Sequence, residues 1–161
     1  MSPDVLSPES LRRIDREVGK YPPDQKQSAV MAALAIAQDQ HGWLAADTMQ
    51  AVADYLGMPA VAVQEVATFY NMYNLKPGAK YKVTVCTNLP CALSGGAKAA
   101  EYLKHKLGVG YREATADGRF MLVEGECMGA CGDAPVLLVN NKRMCSFMSN
   151  DKLDALFEEL K

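Results

Sequence analysis

At 161 residues, 49% hydrophobic and 22% charged with a formal net charge of −2, the chain suits one good-sized domain, or one small domain with an extension. That balance, with no run of five or six basic residues, argues against a nucleic-acid surface. No apolar stretch approaches the roughly 20 residues of a membrane-spanning helix. The opening Met1-Ser2-Pro3-Asp4-Val5-Leu6-Ser7-Pro8-Glu9 has neither a basic n-region nor an apolar h-region, and it is acidic where a mitochondrial presequence is Arg-rich. A cytosolic, bacterial protein is therefore expected.

Up to Lys76-Pro77-Gly78 the hydrophobic pattern is helical. Ser7 suits an N-cap and Pro8 the first helical position, where no amide donor is needed. Leu11, Ile14 and Val18 share a face of this first helix, and Gly19 suits a left-handed closing position. After the turn Tyr21-Pro22-Pro23, the spacing of Val30, Ala33, Leu34 and Ala37 predicts a second helix over about 24–40, ending at His41-Gly42. Met49, Val52, Ala53 and Leu56 mark a third over 46–56, stopped by Gly57, and Pro59 opens a fourth to about Met72. The expectation is a small, alanine-rich four-helix bundle over residues 1–77, whose short side chains permit close packing.

From Gly78 strands and helices alternate. Tyr81-Lys82-Val83-Thr84-Val85 reads as a strand ending on Cys86. Ser94-Gly95-Gly96 leads into a helix over about 97–107, and Phe120-Met121-Leu122-Val123-Glu124 is a second strand running towards Cys127. Residues 135–139 and 143–146 form a hairpin across Asn140-Asn141-Lys142, where asparagines tolerate positive φ. Ser149 or Asn150 caps a last helix bearing Leu153, Leu156, Phe157 and Leu160. A β-α-β unit followed by a hairpin and a helix is the thioredoxin-like order. The fold expected is α+β: a four-helix bundle, then a thioredoxin-like domain over 78–161 with a mixed sheet. No internal repeat is present.

In a reducing cytosol, grouped cysteines are metal ligands or redox thiols more often than disulfides. The spacing is Cys86-x4-Cys91, then 35 residues, then Cys127-x3-Cys131. Each pair begins where a strand ends, so if the two strands are neighbours their loops meet at one sheet edge. Four thiolates from two loops suit a [2Fe–2S] cluster, with one sulfur pair for each iron. Thr87, Asn88 and Leu89 offer amides to cluster sulfur, Pro90 stiffens the turn, and Gly129 and Gly132 let the backbone come close. A zinc site is the main rival, though its usual knuckles are C-x2-C. A redox C-x-x-C pair fits neither gap, and inert buried cysteines have no reason to gather in glycine-containing loops.

The fifth cysteine, Cys145, lies within a strand and reads as a small core residue. His41 reads as a helix-end side chain and His105 as part of a solvated helix face. Ser94-Gly95-Gly96-Ala97-Lys98 lacks the full phosphate-loop order and reads as a helix start. No G-x-G-x-x-G follows a strand, so nothing indicates that this chain itself binds NAD(H) or flavin. Met121, Met128, Met144 and Met148 read as core, with Met128 best placed to shield a cluster.

Several motifs carry a resemblance. Gln40-His41-Gly42-Trp43-Leu44, Val66-Ala67-Thr68-Phe69-Tyr70 with Asn74-Leu75-Lys76-Pro77, Val85-Cys86-Thr87-Asn88-Leu89-Pro90-Cys91, and Glu126-Cys127-Met128-Gly129-Ala130-Cys131-Gly132-Asp133-Ala134-Pro135 together resemble the 24 kDa-type subunit family of NADH:quinone oxidoreductase (respiratory complex I), which are thioredoxin-like [2Fe–2S] ferredoxins. The match extends over nearly the whole chain. It implies cluster ligation by Cys86, Cys91, Cys127 and Cys131, and gives no role to Cys145.

The resemblance also implies a tightly bound flavoprotein partner holding FMN and the NADH site, with the helical segment as the docking element. The function expected is one-electron exchange with that FMN, with no complete active site on this chain. Its place would be peripheral, on the cytoplasmic side of the inner membrane. A diaphorase subunit of an NAD-linked hydrogenase or formate dehydrogenase has related motifs. A free-standing ferredoxin and a zinc-stabilised interaction module are the other readings.

Overall fold

The computed structural model describes residues 5–160; the first four residues of the opening segment lie outside the described residues, as does Lys161. The chain divides into two compact units between Pro77 and Gly78.

The first unit contains α1 (Pro8–Val18), α2 (Val30–His41), α3 (Ala46–Leu56) and α4 (Ala60–Phe69). Ser7 caps α1, its hydroxyl accepting from the Ser10 amide at 3.1 Å. Here α2 is central, packing against α1, α3 and α4. Its Ala33, Leu34 and Ala37 share one core with Ile14, Val52, Ala53, Leu56, Val63 and Ala67. Gln38 ties α2 to the end of the unit: its amide donates to the Met72 carbonyl at 3.0 Å, and its carbonyl accepts from the Asn74 amide.

Three local expectations need correction. The segment Pro23–Ala29 is a separate 3-10 helix rather than the first turns of α2, and Gln25 within it leaves helical geometry at φ −117°. Hydrophobic spacing locates only Val30 onward, where the apolar face begins. Gly19 is right-handed (φ −61°) and not left-handed; the left-handed closing positions are Gly42 and Gly57. Finally, α4 stops at Phe69, with Tyr70 extended. Leaving the helix there lets the buried Tyr73 donate its hydroxyl to the Met31 carbonyl at 2.8 Å.

The second unit holds a mixed five-stranded sheet in the order β2-β3-β1-β4-β5. The strands are β1 (Tyr81–Cys86), β2 (Glu113–Ala114), β3 (Phe120–Gly125), β4 (Leu137–Val139) and β5 (Arg143–Cys145). β1 and β3 are parallel neighbours, with Val85 opposite Glu124 and Cys86 opposite Gly125. β4 and β5 are antiparallel, with Asn140 and Asn141 at positive φ in the turn between them.

Two further helices follow β1. A five-residue helix, α5 (Leu89–Leu93), stands where the cysteine spacing suggests only a loop. It turns immediately after Asn88 and has Pro90 in its first turn, where proline needs no donor. One sheet face, bearing Val83, Val85, Phe120, Leu122, Leu137 and Val139, packs under α6 (Gly96–Leu107) and the last helix, α7 (Asn150–Glu159). Phe157 of α7 meets Phe120 with ring centroids 4.8 Å apart. Ser149 caps α7.

Candidate metal centre

β1 ends on Cys86, and α5 begins three residues later, carrying Cys91. The Cys86 amide donates to the Val136 carbonyl at 3.2 Å, which links the first loop to the chain leaving the second. α6 starts directly against this loop: a Cβ on Gly96 would lie 2.7 Å from the Cys86 carbonyl oxygen and 2.8 Å from that of Cys91. Only a residue without a side chain permits this approach as it stands.

The second loop leaves β3 after Gly125. A side chain there would strike the Thr84 methyl at 2.5 Å and Met128 at 3.0 Å. Gly129 is left-handed (φ +69°), and its amide donates to the Cys127 sulfur at 3.4 Å. Cys131 opens a single 3-10 turn ending at Asp133. Beyond it, the Phe147 amide donates to the Asp133 carbonyl at 2.7 Å and the Met148 amide to the Pro135 carbonyl at 3.0 Å. Backbone from the far side of the β-hairpin thus braces this loop.

Cys86 and Cys91 are buried, Cys131 is half-buried and Cys127 is exposed. Cys86, Cys91 and Val136 form a small apolar cluster of their own, with Met128, Ala130, Cys131 and Ala134 packed on it. Burial, with hydrogen-bonded and electrostatic contact to Cys86 and then Cys131, pushes the Cys91 thiol up to about 12. A metal that binds such a sulfur displaces its proton to solvent, and the sulfur ligates as thiolate.

Among the described residues, no three His, Cys, Asp or Glu side chains stand ready around a single ion. Cys91 contacts Cys86 and Cys131, while Cys127 is exposed and its sulfur accepts from the Gly129 amide. The donors are all sulfur, and a two-iron cluster takes two at each iron rather than four at one point. The residues present fit that group.

Cys145 is not part of this arrangement. It pairs with Leu137 across the hairpin and lies in the main core under the helices, where burial raises its thiol. His41 hydrogen-bonds the Val5 carbonyl at the end of α2. Met128 packs on the cysteine cluster, whereas Met148 belongs to the main core and Met144 is exposed. Nothing in the cysteine spacing marks the Thr87 hydroxyl, which donates to Glu124 across the two strands at 2.7 Å. Strand register brings these residues together, and register is not visible in spacing.

A thioredoxin-like unit with two cysteine loops at the ends of parallel strands defines a class of iron–sulfur electron carrier. The family model for the thioredoxin-like [2Fe–2S] ferredoxin matches residues 14–161, and the chain belongs to that family. Its cofactor is a [2Fe–2S] cluster. The chain is 41% identical over 145 residues to a Rickettsia bellii protein named as a subunit of NADH-quinone oxidoreductase, covering 89% of this chain and 86% of that one. It is 34% identical over 148 residues to NADH-quinone oxidoreductase subunit 2 of Thermus thermophilus, covering 92% and 82%. Among solved structures, an NAD+-reducing [NiFe]-hydrogenase in the H2-reduced state aligns with a TM-score of 0.68 at 23% identity. That alignment covers 81% of this chain and 22% of the hydrogenase chain, and it shows a shared fold.

Proposed function

We propose that this chain is the electron-transfer subunit of an NADH:quinone oxidoreductase, with its [2Fe–2S] cluster held by Cys86, Cys91, Cys127 and Cys131. The observation that carries the reading is the placement of both cysteine pairs on adjacent strand-end loops, within a chain about 40% identical to proteins named as subunits of that complex. When bound, the cluster supplies a site that takes up and returns one electron at a time.

The residues of this chain then have separable tasks. Buried Cys86 and Cys91 anchor the inner side, Cys131 joins them from the second loop, and exposed Cys127 completes the set at the surface. The braced backbone of the second loop and the close seat of α6 keep those sulfurs in place before metal arrives. All-thiolate ligation favours a lower potential than a site with histidine ligands. Electrons pass to and from the FMN of a partner flavoprotein that also binds NADH. The helical unit, read as a four-helix bundle of residues 1–77 without chemistry of its own, docks onto that partner.

No helix among the described residues is long and apolar enough to cross a membrane. Attachment is read, from the kinship with subunits of a quinone-reducing complex, as peripheral and on the cytoplasmic side of the bacterial inner membrane.

The test is spectroscopic. The purified chain is expected to be red-brown, with about two iron and two sulfide per chain, and its dithionite-reduced form to show about one unpaired spin by electron paramagnetic resonance. A colourless protein holding zinc would overturn the reading in favour of an interaction module. Co-purification with a flavin-containing subunit supports the proposed partner, and a monodisperse monomer that ignores such a subunit rejects it.

A further inference from the structure

The cysteine loops hang from β1 and β3, and one side-chain hydrogen bond crosses between those strands at the cysteine end. Thr87 immediately follows Cys86, and Glu124 stands three residues before Cys127. The Thr87 hydroxyl donates to a Glu124 carboxylate oxygen at 2.7 Å. In the ladder Glu124 faces Val85 and Gly125 faces Cys86, so the bond runs diagonally over the last pair, from Thr87 just past the ladder to Glu124 within it. There the backbone ladder ends, and the bond adds a side-chain tie to the Cys86 amide–Val136 carbonyl bond that already links the two loops.

The same contact fixes a charge. Glu124 is exposed, and an untethered glutamate would sample many rotamers in water. Held by Thr87, its carboxylate stays at the root of both cysteine loops. Lys104 of α6 is within electrostatic reach of Glu124. Its ammonium nevertheless hydrogen-bonds Glu101 at 2.7 Å and lies 4.1 Å from the centroid of the Tyr111 ring.

Resting on the cluster reading above, we infer that Thr87 and Glu124 form a clasp with two distinct effects on the cluster. The hydrogen bond holds the two ligand loops together, and the fixed carboxylate charge disfavours adding an electron. Both residues are positioning residues, since they act through the loops and through the field rather than as ligands. A negative charge is felt more strongly by the reduced centre, which carries one more negative charge, so Glu124 lowers the reduction potential.

Three substitutions separate the effects. Thr87→Val deletes the donor while keeping shape and the Glu124 charge. Thr87→Ser restores the donor. Glu124→Gln keeps an oxygen that accepts from Thr87 but removes the charge. Iron release to a chelator is expected to be several-fold, up to about tenfold, faster in Thr87→Val and near the parent rate in Thr87→Ser. Glu124→Gln should keep its iron at close to the parent rate while its potential, followed by electron paramagnetic resonance, moves upward.

Retention of iron by Thr87→Val at the parent rate would overturn the clasp. Equal losses in Thr87→Val and Thr87→Ser would do so too. An unmoved potential in Glu124→Gln would overturn the charge effect, and that measurement stands even if Thr87→Val fails to fold. Failure of the parent chain to hold iron at all would instead reject the underlying cluster reading.

Discussion

The helical unit and the sheet unit contrast in where they place their apolar side chains. The first gathers Leu34, Val52, Val63 and their neighbours into one core. The second divides its burial between a large core beneath α6 and α7 and a small separate cluster of Cys86, Cys91 and Val136. A helix satisfies its own backbone, so its buried face can be wholly apolar. A strand end must release its chain, and at that point side chains from distant segments can be collected. The four cysteines proposed as ligands lie in the unit whose elements end together.

The largest expected effect concerns the small cluster. Cys86→Ser should remove most of the iron, whereas Cys145→Ser, in the main core of the same unit, should leave iron content and the paramagnetic signal unchanged. Equal losses from the two, measured as iron per chain, would erase the distinction between the clusters.

The next tests the separateness of the two units. Leu34 is fully buried in α2, so Leu34→Ala should lower the stability of the helical unit by about 2–5 kcal/mol. The cluster signal of the folded protein should not change. Chemical denaturation followed by far-ultraviolet dichroism, which reads the helices of both units, and by cluster absorbance, which reads the second alone, would separate their transitions. Coincident loss of both at the lower midpoint would mean that the units unfold as one.

A smaller effect is confined to alkaline solution. Burial, with a contribution from Tyr70, pushes the Tyr73 phenol up to about 12 from its ordinary 10. A folded value above the unfolded one stabilises the protein fully below pH 10, and this contribution is lost as pH rises from 10 towards 12. It is on the order of 2 kcal/mol. Tyr73→Phe gives up the hydrogen bond to Met31 but should flatten the fall in stability across that window. An unchanged slope in the variant would show that other groups control it.

Much of this was legible in the sequence because it is local. Ser7 and Pro8 open α1, Gly57 closes α3, and the alternation of Val83 and Val85 places a strand running into Cys86. What escaped was weakly patterned or depended on distant partners. β2 has two exposed residues and so no hydrophobic signal. Residues 23–29 lack the apolar face that would have marked them as separate from α2. The end of α4 depends on where Tyr73 finds the Met31 carbonyl, 42 residues away.

For the centre itself, sequence alone determined the residue types and their grouping, because the spacing of four cysteines around two strand ends is a property of the chain. Tertiary structure decided which sulfurs are buried and which is exposed, and it seats Cys145 opposite Leu137 in the main core beneath the helices. It also brought Thr87 to Glu124, 37 residues apart in the chain. Those features depend on strand register and on close approach between segments distant in sequence, which no local pattern encodes.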